Sequence, residues 1–210
     1  STPIKSSAAS DVYKRQINER NIMNVVIAID SFKGSLSSLE AGESAANGIK
    51  KVYPDATTVI RPLADGGEGT VDALVAGCGG KMTTVSVTGP LGETVSCQYG
   101  IVSATKTAII EMAVAAGITL VPPQKKNPLH TTTYGVGEII ADAVKRGCRH
   151  FLIGIGGSAT NDGGIGMLQA LGFGMLDENG NQVEFGAKGL RQLKSVSYTH
   201  LRAHETRRHL

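Results

Sequence analysis

The sequence has 210 residues, 41% of them hydrophobic, 19% charged and only 4% aromatic, with 27 glycines and no tryptophan. That length is enough for one large or two small domains with a buried core, and the composition suits an α/β protein packed with Ala, Val, Ile and Leu between glycine-rich connections. The formal net charge of +3 sits in the ends: residues 1–22 and 197–210 contribute +4, leaving −1 for Met23–Val196, so no basic nucleic-acid surface is implied.

The flanks 1-STPIKSSAASDVYKRQ and 197-SYTHLRAHETRRHL lack periodicity and resemble translated sequencing-adapter read-through. Segments 1–22 and 197–210 are therefore set apart as non-native or disordered flanks. The polar start has no signal-peptide core and no apolar run reaches bilayer length, which predicts a soluble cytoplasmic protein with no membrane partner. Cys78, Cys97 and Cys148 form no CxxC or Cys/His cluster, so reduced thiols are expected.

Within the body, 24-NVVIAID reads as a buried strand ending at Asp30. After 31-SFKGSLS, Ser38 is the expected N-cap of a helix whose buried stripe is Leu39, Ala45, Ala46 and Ile49. A strand at 57-TTVIRPL, the loop 64-ADGGEGT and a helix from 70-TVDALVAG repeat the pattern. Then 82-MTTVSVTGP, 93-ETVSCQYGIV and 107-TAIIEM read as successive antiparallel strands around the turn 89-GPLGE. Beyond 122-PPQKKNP come a helix within 131-TTTYGVGEIIADAVKRG, a strand at 150-HFLIGI, the loop 154-GIGGSATNDGG and a helix from 165-IGMLQALGF.

Alternating β and α at both ends predicts an α/β fold: a mostly parallel sheet with helices on both faces, plus a smaller α/β or β-rich subdomain. The expected organisation is 23–80 as the first part of the parallel domain, 81–128 as the β-rich insert and 129–196 as a further α/β segment.

Three polar loops, Asp30–Ser35, Ala64–Thr70 and Gly154–Gly164, each follow an apolar strand. Strand C-terminal ends share one edge of a parallel sheet, so the loops are expected to converge on one ligand site. Gly156, Gly157 and Ser158 suit a phosphate cradle of backbone N–H groups. Asp162, Asp65 and Glu68 are placed to hold a largely hydrated Mg2+, Lys33 to neutralise a transferring phosphoryl group, and a carboxylate to take a hydroxyl proton. The plain alternatives are helix capping for Asp65 and Asp162, a solvated loop lysine for Lys33, and surface or structural histidines at His130 and His150. Gly154-x-Gly156-x-x-Ala159 also matches a relaxed dinucleotide fingerprint, but 160-TNDGG still reads as loop where that fold would already be helical. No Walker A pattern is present.

Taken in order, 30-DSFKGSLS, 64-ADGGEGT and 154-GIGGSATNDGG resemble the bacterial glycerate kinases, over Met23 to about Val196. The resemblance implies a two-domain α/β enzyme that uses ATP with Mg2+ to phosphorylate D-glycerate, to 2-phosphoglycerate in many members. It places Ser31, Phe32 and Lys33, the stretch Asp65, Gly66, Gly67 and Glu68, and Gly156 to Asp162 in the site. On that basis Asp162 is expected as base or Mg2+ anchor with Asp65 as its partner. Ser158, Thr160 and Asn161 are expected to bond phosphate or the glycerate carboxylate, with Thr131 and Thr132 as a second anion contact ahead of a helix. Family members continue well past this point, so the chain is expected to be a truncated two-domain kinase, inactive alone. A non-catalytic anion- or carboxylate-binding module is the competing reading, and a dinucleotide-dependent oxidoreductase a more distant one.

Overall fold

The computed structural model describes residues 23–32 and 35–198, so Lys33 and most of both flanks lie outside the described residues. Strand β1 (Asn24–Ile29) pairs in parallel with β2 (Thr57–Pro62) through helix α1 (Ser38–Val52). The N-cap of α1 is Ser37, not Ser38. Its hydroxyl accepts the Glu40 N–H while the Glu40 carboxylate takes the Ser37 N–H, the reciprocal bonding that Ser-x-x-Glu spacing provides. Those bonds hold the Glu40 carboxyl below its ordinary value. Ser38 instead donates its hydroxyl to the Leu63 carbonyl, tying α1 to the end of β2. The buried face of α1 is Ser38, Ala41, Gly42 and Ala46; Leu39, expected inside, is half exposed.

Helix α2 (Thr70–Cys78) leads into a four-stranded sheet, in spatial order β3 (Lys81–Thr88), β4 (Thr94–Val102), β5 (Thr107–Glu111), β6 (His150–Gly154). The pairings are antiparallel between β3 and β4 and between β4 and β5, but parallel between β5 and β6. The expected boundary at 128/129 therefore falls inside one sheet: β5 and β6, assigned to different segments, are hydrogen-bonded neighbours. Between them run a short helix α3 (Ala113–Ala116) and the crossover helix α4 (Tyr134–Lys145).

Strand β5 shows why the sheet needs helices on both faces. Successive side chains of a strand point to opposite sides. Ala108 and Ile110 join Cys97, Tyr99, Val136, Ile139 and Ala143 in a core against α4, whereas Ile109 joins Val71, Val75 and Val102 in a second core against α2. An unbroken apolar run is what such a doubly covered strand requires. Tyr99, fully buried, keeps its hydroxyl satisfied by donating to Asp142, which also takes the Arg146 Nε–H. Cys97 and Cys148 are buried and Cys78 is exposed, all three as free thiols; burial and the nearby Glu138 charge push the Cys97 thiol up to about 11.

Helix α5 (Ile165–Ala170) packs on α4, followed by the hairpin of β7 (Gly174–Leu176) and β8 (Ser195–Ser197), with α6 (Gly186–Leu190) between. A small core of Ile165, Met175 and Val183 holds this region together. Strand β8 reaches one residue into the segment set apart as a flank. Among the described residues no helix is long and apolar enough to cross a membrane.

The α4–α5 contact depends on Gly137, where a Cβ would lie 2.7 Å from the Ala170 Cβ and against the Met167 carbonyl oxygen. Gly137→Ala is expected to destabilise the chain by about 1–3 kcal/mol through overpacking, read as a lower urea midpoint at unchanged slope.

Candidate functional site

Backbone contacts join the second and third strand-end loops, and a cleft joins the first to the second. Gly156 donates its N–H to the Gly66 carbonyl at 2.9 Å. A Cβ on Gly154 would stand 2.6 Å from the Gly66 oxygen, and one on Gly156 would stand 2.7 Å from the Gly67 Cα. These glycines let main chain pack on main chain, a contact no side chain could enter. On the other flank, Ser31, Phe32 and Leu36 line a cleft of 620 Å3 together with Leu39, Glu68 and Asp72. The loop after β1 is itself closed by hydrogen bonds between Phe32 and Leu36, and Ser31 N–H is held by Asp30.

The structure sorts the expected site residues into two groups. Asp65, Glu68, Gly157 and Asn161 are exposed, and Ser31, Gly66, Ser158 and Thr160 are partly so. Asp65 accepts the Gly67 N–H through Oδ1 in a tight local turn, which leaves the carboxylate at the surface of the joined loops. Ser158 accepts the Thr160 N–H and shares a hydroxyl–hydroxyl bond with Thr160 at 2.7 Å. Gly67 is buried beneath this surface, and the Gly156 N–H expected to face a phosphate is instead committed to Gly66.

Asp162 belongs to the second group. It is 1% exposed, and its Oδ2 takes the N–H and hydroxyl of Thr133 and the Gly166 N–H, while Oδ1 takes the Gly164 N–H. Thr133 precedes α4 and Gly164 precedes α5, so one carboxylate caps two helices where their N–H groups have no intrahelical partner. The expectation of a base or metal anchor at Asp162 meets a group with four donors on it and no solvent face, and the plainer capping reading describes its geometry. Thr131 and Thr132 are likewise shut off from solvent: Thr131 donates its hydroxyl to Ala159, and Thr132 Oγ1 accepts from Tyr134 N–H. Thr131 braces the third loop from behind and Thr132 holds the start of α4, so neither hydroxyl is turned to an anion. Thr133, not singled out in the sequence, is the working partner of the three, since its hydroxyl also receives the Met167 N–H.

A second carboxylate escaped the sequence reading. Glu111, at the C-terminal end of β5 opposite Gly154, is 6% exposed and accepts the Val71 N–H through Oε1 at 2.8 Å. Burial pushes its carboxyl above the ordinary value against the opposing effect of the Val71 and Thr70 N–H groups, and the charges of Asp72 and Glu68 add to the rise. The signal was available: 107-TAIIEM ends an apolar strand on a carboxylate, as 24-NVVIAID does at Asp30.

Among the described residues no group of three or more His, Cys, Asp or Glu stands close enough to hold a metal unaided. A Mg2+ that keeps most of its waters and bridges phosphate oxygens needs only one or two carboxylates. Asp65 at the loop surface fits that role; Asp162, with both oxygens engaged, does not. The relaxed dinucleotide fingerprint fails on geometry, because α5 begins at Ile165, well after Gly154–Ala159.

Comparison with known proteins is consistent with this arrangement. The profile of the Glycerate kinase family matches residues 25–209. The chain belongs to that family. It is 51% identical over 179 residues to a glycerate kinase of Haemophilus influenzae, and 49% identical over 179 residues to a glycerate 2-kinase of Escherichia coli; each alignment covers 85% of this chain and 47% of the relative. A crystal structure under the name glycerate kinase 2, from Salmonella typhimurium LT2, superposes with a TM-score of 0.78 at 49% identity over 85% of this chain and 48% of its own. The chain thus spans about half the length of the curated relatives it matches.

Two outcomes follow for the buried carboxylates. Asp162→Ala strands several N–H groups and the Thr133 hydroxyl, and is expected to cost about 3 kcal/mol or more in a urea titration. Because the Glu111 carboxyl is raised in the folded state, its stabilising contribution is full below the unfolded value near 4.5 and is lost as pH rises through the folded value. Wild-type stability is therefore expected to decline relative to Glu111→Gln as pH rises above the unfolded value near 4.5, with the difference between the two midpoints as the readout.

Proposed function

We propose that the chain carries the strand-end loops of an ATP- and Mg2+-dependent kinase that phosphorylates D-glycerate, with 2-phosphoglycerate as the favoured product. The single observation that supports this reading best is the meeting of three glycine- and carboxylate-bearing loops at strand C-termini, with Gly156 bonded to Gly66 and Ser31, Phe32 and Glu68 lining one cleft. The names of the relatives, glycerate kinase and glycerate 2-kinase, point the same way. The reaction is placed in the cytoplasm, where ATP is abundant and free thiols such as Cys97 and Cys148 persist.

Phosphoryl transfer asks the protein mainly for positioning and for charge where charge develops. A hydroxyl oxygen of glycerate forms the new bond to the γ-phosphorus, the bond to the bridging oxygen breaks, and ADP leaves. Asp65, exposed beside the Gly66–Gly156 contact, takes the hydroxyl proton or turns an oxygen toward the metal. Mg2+ bound with ATP would neutralise phosphate charge. Lys33, outside the described residues, would supply a positive charge for the transferred group. Ser158, Thr160 and Asn161 hold the glycerate carboxylate or a phosphate oxygen, from a loop kept in shape by the Ser158–Thr160 bonds. Asp162, enclosed by its donors, acts as a positioning residue that fixes this loop between two helix starts.

The test compares the 210-residue chain with the protein extended to the length of its relatives, assaying ADP release that requires both glycerate and Mg2+. The extended protein is expected to turn over and the shorter chain to fail. Asp65→Asn in the extended form is expected to lower kcat by about 100-fold or more. Wild-type kcat in that variant removes Asp65 from the chemistry, and ligand binding without ADP release converts the site to a binding module.

A further inference from the structure

The loop after β2 has to be held in place by something other than its own turn. It contains Gly66, Gly67 and Gly69, two of them at positive φ, and its carboxylates Asp65 and Glu68 are both exposed, so little of its own side-chain packing fixes it. Its anchors are therefore the residues that grip its two ends and its back. Gly156 holds the Gly66 carbonyl from the third loop. At the downstream end, the Thr70 hydroxyl donates to Gly67 O, and the Val71 N–H, in the first turn of α2, is received by Glu111.

Glu111 reaches that position because of strand periodicity. Ile109 faces α2, so residue 111 faces α2 as well, one pleat further toward the strand's C-terminal end, directly beneath the start of the helix. Buried carboxylates are costly unless hydrogen-bonded, and a Leu would fill the space at less expense if packing were the only requirement. We infer that Glu111 is a positioning residue for phosphoryl transfer: its carboxyl fixes the start of α2 to the sheet and thereby sets where Asp65 and Glu68 stand. The inference rests on the kinase reading for its functional half, while the structural half stands on the Glu111–Val71 bond alone.

Hydrogen exchange on the 210-residue chain tests the structural half. Glu111→Ala is expected to speed exchange of amides in residues 66–72 about tenfold, with β3 and β4 unchanged, and Glu111→Gln, which keeps the acceptor oxygen, is expected to stay close to wild type. If Glu111→Ala unfolds the chain throughout, Glu111→Asp, one methylene shorter, is expected to loosen residues 66–72 alone. Unchanged exchange of residues 66–72 in folded Glu111→Ala or Glu111→Asp overturns the inference. In the relative-length protein, Glu111→Ala is expected to reduce kcat on the order of 100-fold with little change in the KM for ATP, and Glu111→Gln to restore most of it. A loosened loop with wild-type kcat makes Glu111 a purely structural residue and overturns the functional half. Absence of turnover in the wild-type extended protein refutes the kinase reading instead, and leaves the exchange result to decide the anchoring.

Discussion

The arrangement depends most on a carboxylate that does not see solvent. Asp162 receives N–H groups from Thr133, Gly164 and Gly166 and the Thr133 hydroxyl, so the starts of α4 and α5 are joined at one point. Helix N-termini carry partial positive charge and unpaired N–H groups, and two of them facing one another would repel and leave donors unsatisfied. A buried anion between them answers both problems. The close approach of the same helices at Gly137, and of Gly166 to Asp162 and Thr132, follows from that junction. The third loop, whose last residues lead into α5, inherits its position from it.

Strand β5 plays the equivalent part for the second loop. Its side chains alternate between two cores, and the alternation delivers Glu111 to the beginning of α2. Each of these two loops is thus backed by a buried acid that binds backbone N–H groups, while the exposed acid Asp65 lies on the loop surface. The division separates enclosed carboxylates from an accessible one: Asp162 and Glu111 are turned onto backbone N–H groups inside the fold, whereas Asp65 stands where solvent reaches it.

Much of this was legible in the residues. The strand–loop–helix repeats around Asp30, Ala64 and Gly154 and the helix from Tyr134 lie close to where the apolar patterns put them, because long periodic segments are decided locally. The pairing of β5 with β6 was not legible, since it joins residues some forty positions apart and nothing in 107-TAIIEM declares its neighbour. Ser37 caps the helix in place of Ser38 because Glu40 sits three residues after the former, the spacing that reciprocal capping requires. For the candidate site, composition marked the three loops, yet it could not tell an exposed aspartate from a buried one. Asp65 and Asp162 both precede glycines, and only their tertiary neighbours separate them. Glu111 and Thr133 were missed for the same reason, as their importance lies in contacts with residues 40 and 29 positions away.

The join between the second and third loops is made of main chain on both sides, Gly66 and Gly67 against Gly154 and Gly156. A spacing set by two backbones is indifferent to the identity of the side chains around it. Neighbouring positions such as Glu68, Ser158 and Asn161 can then carry other side chains while the distance between the loops stays as it is. The same closeness makes Gly154 and Gly156 poor places to add a side chain: a Cβ at either runs into the Gly66–Gly67 main chain before it reaches anything else.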